Sequence, residues 1–168
     1  MAPIGIFYGS TTGNTEKIAK KIKEHLKSET IDIYNVREAT QADLEKYTNI
    51  IFGSSTWGQG ELQEDFKQFL EVIKKANLQG KKVAIFGIGD SSVYPDSFAD
   101  ALGVIFEALE GKGVTFVGEF STQGYNFEKS LALFDEKFVG LPLDDDSDEA
   151  QNKARIAIWS ELLNQKMN

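Results

Sequence analysis

Three short polar stretches hold the residues able to do chemistry. The first is Gly9-Ser10-Thr11-Thr12-Gly13-Asn14-Thr15. It offers four hydroxyls and one amide, and Gly13 lets a ligand approach the backbone closely. Such a stretch at the start of a helix suits a phosphate, because first-turn N–H groups lack partners and carry partial positive charge. It contains no Lys or Arg. It is not a P-loop, which needs four residues between its glycines and then a lysine; three residues separate Gly9 from Gly13, and Asn14 follows. The glycine spacing of a dinucleotide fingerprint is also missing. The other two stretches are residues 54–60 and 87–97. They carry Trp57 and Tyr94, large aromatics among glycines and polar residues, with no evident core to fill. Two such rings on neighbouring loops can hold a flat ligand between them. A phosphate loop beside two aromatic walls predicts a planar cofactor with one phosphate.

The elements that must position these loops are legible as apolar runs. Residues 4–8, 49–53 and 82–87 read as strands buried on both faces. Residues 30–34 alternate and form a short edge strand, and residues 42–47 a helical turn. Ile18, Ile22 and Leu26 mark a first helix on a lysine-rich segment; Phe66, Phe69, Leu70 and Ile73 mark another. Phe98, Leu102, Ile105, Phe106 and Leu109 form the next helical stripe. A fifth strand starts at residues 114–117, and residues 119–140 make an excursion before Leu141-Pro142-Leu143 resumes. The acidic run 144–149 leads into a last helix with Ile156, Ile158, Trp159, Leu162 and Leu163 as its core stripe. Acids at a helix start suit the macrodipole, and the spacing of a calcium loop is absent, so no metal site is expected. Alternating strands and helices imply a parallel sheet with helices on both faces, and ligands then sit at the strands' carboxyl ends.

At 168 residues the chain is expected to form one domain spanning 1–168. It has no cysteine, which removes disulfide and thiol chemistry. Neither a secretory signal nor a membrane span is visible. The net charge of −8 is uneven. Residues 1–89 carry 12 basic and 11 acidic side chains; residues 90–168 carry 6 and 15. That excludes nucleic acid as a natural partner and favours a basic protein surface. The one histidine, His25, is expected at the surface.

With these residues in view, the chain resembles a flavodoxin of the long-chain kind. The resemblance rests on residues 10–15, on Thr56-Trp57-Gly58-Gln59-Gly60-Glu61-Leu62, on Gly87-Ile88-Gly89-Asp90 through Tyr94 to Phe98, and on the excursion. It implies a flavodoxin-like three-layer α/β sandwich: a five-stranded parallel sheet of order 2-1-3-4-5, helices on both faces, and an insertion in the fifth strand. It implies non-covalent FMN. Ser10, Thr11, Thr12, Gly13, Asn14, Thr15 and Thr56 would hold the phosphate, with Ser55 and Gly60 also at the cofactor. Trp57 and Tyr94 would flank the ring, the Gly58–Gln59 peptide would face its N5, and Gly89, Asp90, Ser97 and Phe98 would line its polar edge. Relatives often have a larger residue at position 58 and a cation at position 14.

The resemblance further implies a low-potential one-electron carrier and not an enzyme, able to stand in for ferredoxin. Expected partners are ferredoxin/flavodoxin-NADP reductase, photosystem I or nitrogenase-type acceptors, docking at the acidic face of a cytoplasmic (or plastid stromal) monomer. Two rivals share the fold. A quinone reductase would need space for nicotinamide, which aromatic walls on both faces of the ring oppose. A receiver domain needs acids after the first strand and a phosphoacceptor aspartate after the third; Gly9-Ser10 and Ser54-Ser55 stand there instead.

Overall fold

In the computed structural model, which describes residues 2–167, the sheet is built as the apolar runs predict. β1 (Ile4–Gly9) is buried along its whole length, as are the first six residues of β3 (Asn49–Trp57) and nearly all of β5 (Lys82–Gly89). β2 (Ile31–Asn35) is the half-exposed edge strand. The order β2-β1-β3-β5-β6 is parallel throughout, where β6 is Thr115–Phe116. β9 (Leu141–Asp144) then pairs with the far half of β5, Phe86 opposite Leu141 and Gly89 opposite Asp144. β6 and β9 are thus two pieces of one fifth strand. The expected 2-1-3-4-5 order and the insertion in that strand both hold.

Side chains alternate across each strand, so the sheet has a core on either face. Ile4, Ile6 and Tyr8 point to one side with Ile51 and Phe86, covered by α1 (Asn14–His25) and α5 (Glu149–Lys166) through Ile22, Trp159 and Leu163. Phe7, Phe52 and Ile85 point to the other, covered by α3 (Glu64–Lys75) and α4 (Asp100–Leu109) through Phe66, Phe69, Leu102 and Ile105. The short α2 (Gln41–Glu45) starts on a Thr40–Asp43 capping box.

Four sequence-based expectations need correction. The second polar stretch is not a loop from residue 54. β3 runs on to Trp57, and the chain turns back as β4 (Glu61–Leu62), pairing Thr56 with Leu62. Phe98 lies before α4, not on its stripe. Ile158 is 63% exposed, because it is two residues from Ile156 and faces away from it on the helix. Asp144 belongs to β9 and is buried, so the acidic run is not all helix start; only Asp148 caps α5, accepting from Gln151 N at 2.7 Å.

The excursion is ordered by its aromatics. Phe98 is fully buried beneath it, stacked on Phe127 at 5.5 Å with Phe138 at 6.1 Å. β7 (Leu133–Phe134) and β8 (Lys137–Phe138) form a two-residue hairpin, with positive φ at Asp135 and Glu136 as its tight turn requires. Leu131 N donates to Asp100 Oδ1 at 2.7 Å, tying the excursion to α4.

Candidate functional site

At the carboxyl ends of β1, β3, β5 and β9 lies a cavity of about 320 Å³. One end of it meets the start of α1. Gly13, at φ 90°, is the N-cap there, and no side chain caps the helix. Its own N–H is taken by Ser10 Oγ at 2.9 Å, which closes the turn. The N–H groups of α1's first turn therefore point into a site where an anion can receive them. Thr12 and Asn14 line this end. Thr11 is turned aside: its hydroxyl accepts from Gln63 Nε2 at 3.1 Å. Gln63 is a residue that sequence reasoning missed. It is buried, caps α3 by accepting from Phe66 N at 3.0 Å, and receives no more room than Gly9 leaves it; a Cβ there would sit 2.2 Å from Gln63 Oε1.

The two aromatics are where their neighbours in sequence suggest. Trp57 is 41% exposed and Tyr94 37%, and both line the cavity. Neither fills a core. The indole N–H of Trp57 donates to Ser55 Oγ at 2.8 Å, which fixes the ring's direction. Gly58 follows Trp57 with φ 52° and open space where a Cβ would be. Gly60 has φ 99°, and a Cβ there would come within 2.6 Å of Asp100 Oδ2.

Of the expected residues, Thr12, Asn14, Ser55, Thr56, Trp57, Gly58, Gly89, Asp90 and Tyr94 converge on the cavity. Ser10, Thr11, Gly13 and Thr15 form the turn behind it, and Gln59 and Gly60 the hairpin turn beside it. Ser97 and Phe98 do not line it. Phe98 is committed to the core under the excursion, and Ser97 is buried one residue before it. Ile88, Val93 and Asp145 line it unannounced. Asp145 was findable: residues 141–143 are an apolar run like the other three, so the residues just after that run must reach the same end of the sheet. Its N–H donates to Gly89 O at 2.9 Å.

Carboxylates crowd this edge. Asp90 accepts from Ser92 Oγ at 2.7 Å, and that bond, with those from the Val93 and Ser92 N–H groups, holds it below the ordinary aspartate range. Asp145 is an exposed residue, yet partial desolvation of its carboxyl, then repulsion from Asp90 and Asp144, lifts it above that range. An acid whose folded pKa exceeds its unfolded value keeps its proton better when folded. It costs stability above that window, and the cost fades as pH falls through it. Asp145→Asn should therefore raise the urea midpoint at pH 7, with the two proteins converging below about pH 4. A gain that persists unchanged in acid would refute this cause.

Among the described residues no cluster of His, Cys, Asp or Glu is arranged to hold a metal, and no helix is long and apolar enough to cross a membrane. A family model for flavodoxin matches residues 6–159. The flavodoxin of Trichodesmium erythraeum is 44% identical over 165 residues, 97% of this chain and 96% of that one. Flavodoxin 1 of Escherichia coli K12 is 39% identical over 169 residues, 100% of this chain and 96% of that one. The crystal structure of Fusobacterium nucleatum flavodoxin bound to flavin mononucleotide superposes with a TM-score of 0.93 at 28% identity, covering 99% of each chain.

Proposed function

The chain belongs to the flavodoxin family and is an FMN-based electron-transfer protein, and on that premise we propose how its own residues hold the cofactor and which proteins it serves. One observation carries the proposal. A helix start with no side-chain cap opens on the same cavity as two exposed aromatic rings, so one end suits a phosphate and the other a flat ring. FMN has both parts. The glycines fit it too: a Cβ on Gly13 or Gly58 would meet nothing, so the backbone at both ends is free to approach a ligand.

Bound FMN supplies one-electron redox chemistry through its ring. The α1 first turn and the hydroxyls of Ser10, Thr12, Thr15 and Thr56 would hold the phosphate with no side-chain cation. Trp57 and Tyr94 would wall the ring and exclude water from its faces. The Gly58–Gln59 peptide would face the edge of a bound ring, and Gly58 already occupies a positive φ that a residue with a Cβ reaches only at a cost of about 1 kcal/mol. Asp90 and Asp145 put negative charge beside the cavity, which would oppose a further negative charge on a bound flavin. The charge of −9 on residues 90–168 (6 basic, 15 acidic) favours partners with a basic face. The partners we propose are ferredoxin/flavodoxin-NADP reductase, photosystem I or nitrogenase-type acceptors, with the chain standing in for ferredoxin in the same role. We place this exchange in the cytoplasm, with the protein as a monomer.

The test is reconstitution. Apoprotein should bind FMN tightly and FAD poorly, and turn yellow. Thr15 is buried in the first turn of α1. Thr15→Ala should weaken FMN by about 1–2 kcal/mol and leave riboflavin unchanged, because only FMN has the charged group that loses a donor. Equal loss for both ligands, or for neither, would move the phosphate elsewhere.

A further inference from the structure

We propose that Asp144 is the positioning residue for the aromatic wall that Tyr94 forms, acting through Ser91; this rests on the FMN reading above. Asp144 ends β9 and is 3% exposed. A buried carboxylate is costly unless its oxygens are satisfied. No ion pair among the described residues involves it, so neutral donors do this work. Ser91 N donates to Oδ1 at 3.0 Å, Ser91 Oγ to Oδ2 at 2.6 Å, and Asp146 N to Oδ1 at 3.0 Å. Two of the three bonds thus grip one residue, by its backbone and its side chain together.

Ser91 is the residue from which the Tyr94 loop departs. The residues after it fold back on Asp90, the residue just before it: Asp90 Oδ1 accepts from Ser92 N and Val93 N, and Tyr94 N donates to Asp90 O at 2.9 Å. Those bonds fix the loop's shape but not its place. Its far end is tied to the excursion, where Glu128 N and Lys129 N both donate to Pro95 O. Its near end is tied to the rest of the protein by Asp144. Asp144 in turn is anchored to α5: its N–H donates to Asn152 Oδ1 at 3.3 Å and its carbonyl accepts from Asn152 Nδ2 at 2.8 Å. Arg155 Nη1 donates to that same Asn152 Oδ1 at 3.1 Å. Hydrogen bonds therefore run from the last helix through Asp144 to Ser91, and three residues of backbone carry the restraint on to Tyr94.

A carboxylate suits this place because its two oxygens take an N–H and an O–H side by side. An amide can do the same, since its oxygen accepts the N–H and its NH₂ donates to the rotated Ser91 hydroxyl. Alanine can do neither. The loop acts on the ring, not on the phosphate, so its loosening should not distinguish FMN from riboflavin.

The experiment titrates FMN and riboflavin into apoprotein of the wild type, Asp144→Ala, Asp144→Asn and Ser91→Ala. It reads Kd by flavin fluorescence and the visible circular dichroism of the bound ring. Asp144→Ala should bind both ligands about tenfold more weakly, by the same factor, with altered dichroism. Asp144→Asn should stay within about threefold of wild type with its dichroism intact, and Ser91→Ala should fall between. Wild-type affinity and dichroism in Asp144→Ala would overturn the proposal. So would an Asp144→Asn as impaired as the alanine, which would make charge, not position, the operative property, or a loss confined to FMN. If Asp144→Ala does not fold, Ser91→Ala decides: equal weakening of both ligands supports the proposal and unchanged binding overturns it. A wild type that binds neither ligand would instead overturn the FMN reading.

Discussion

Tyr94→Ala should weaken FMN by about 2 kcal/mol, roughly thirtyfold in Kd, while the apoprotein melts as before. The two halves of that expectation come from one fact. Tyr94 lines the cavity and remains 37% exposed, so its ring is not holding the fold together. The backbone bond from Tyr94 N to Asp90 O is indifferent to the side chain and survives the change. What is lost is the flat apolar surface that stacks on a planar ligand. Tyr94→Trp should restore most of the affinity, since a ring and not a hydroxyl is needed. FMN titration and a thermal melt of the same preparations check both halves. An alanine variant with wild-type affinity would remove Tyr94 from the wall, and one that loses stability and affinity together would make it a structural residue.

Gly140→Ala should be among the most damaging single changes in the chain, costing about 3 kcal/mol or more of folding stability. Gly140 stands where the fifth strand resumes after the excursion. A Cβ there would lie 1.9 Å from the carbonyl oxygen of Ile85 and 2.8 Å from its carbon. Those are backbone atoms of a central strand, where Ile85 pairs with Phe52 of β3, and they cannot yield as a side chain would. Gly111→Ala is the natural comparison. Its φ of 80° strains an alanine, but a Cβ would meet nothing within 4 Å, so about 1 kcal/mol is expected. Urea midpoints of the two variants separate steric from conformational cost. Similar shifts would mean that β9 can slide away from β5, and that the register of Phe86 with Leu141 is soft.

The parts of this molecule that a sequence states most clearly are those governed by local rules. Residues 4–8, 49–53 and 82–87 are legible as strands because each is a short, mostly apolar run of the length that a strand covered on both faces takes. Trp57 and Tyr94 stand out because a large ring in a polar stretch has few other uses. Where sequence reasoning fails, a distant partner decides. Phe98 reads as a site residue or a helix-stripe residue until Phe127 and Phe138, from the excursion, close over it. Ile158 passes for core because apolar residues are dense in α5, yet its angular position faces solvent. The extension of β3 to Trp57 depends on its pairing with Glu61, a hairpin that no glycine pattern of the usual two-residue kind announces. Gln63 does its work through a bond to a residue more than fifty positions away, Thr11, which periodicity cannot see.

The division of the fifth strand also bears on the order in which this protein can be completed. Everything up to Phe116 can in principle pair as it leaves the ribosome: β1, β2, β3, β5 and β6 are all present. The wall nearest Asp90 cannot. It waits for residues 141–145 to return across the excursion and lie against residues 86–89. Contacts of such long sequence separation form late, because the loop they close must be restrained first. A growing chain is therefore a sheet with an unfinished mouth, and its capacity for the cofactor should arrive abruptly, once β9 and α5 have been made and dock.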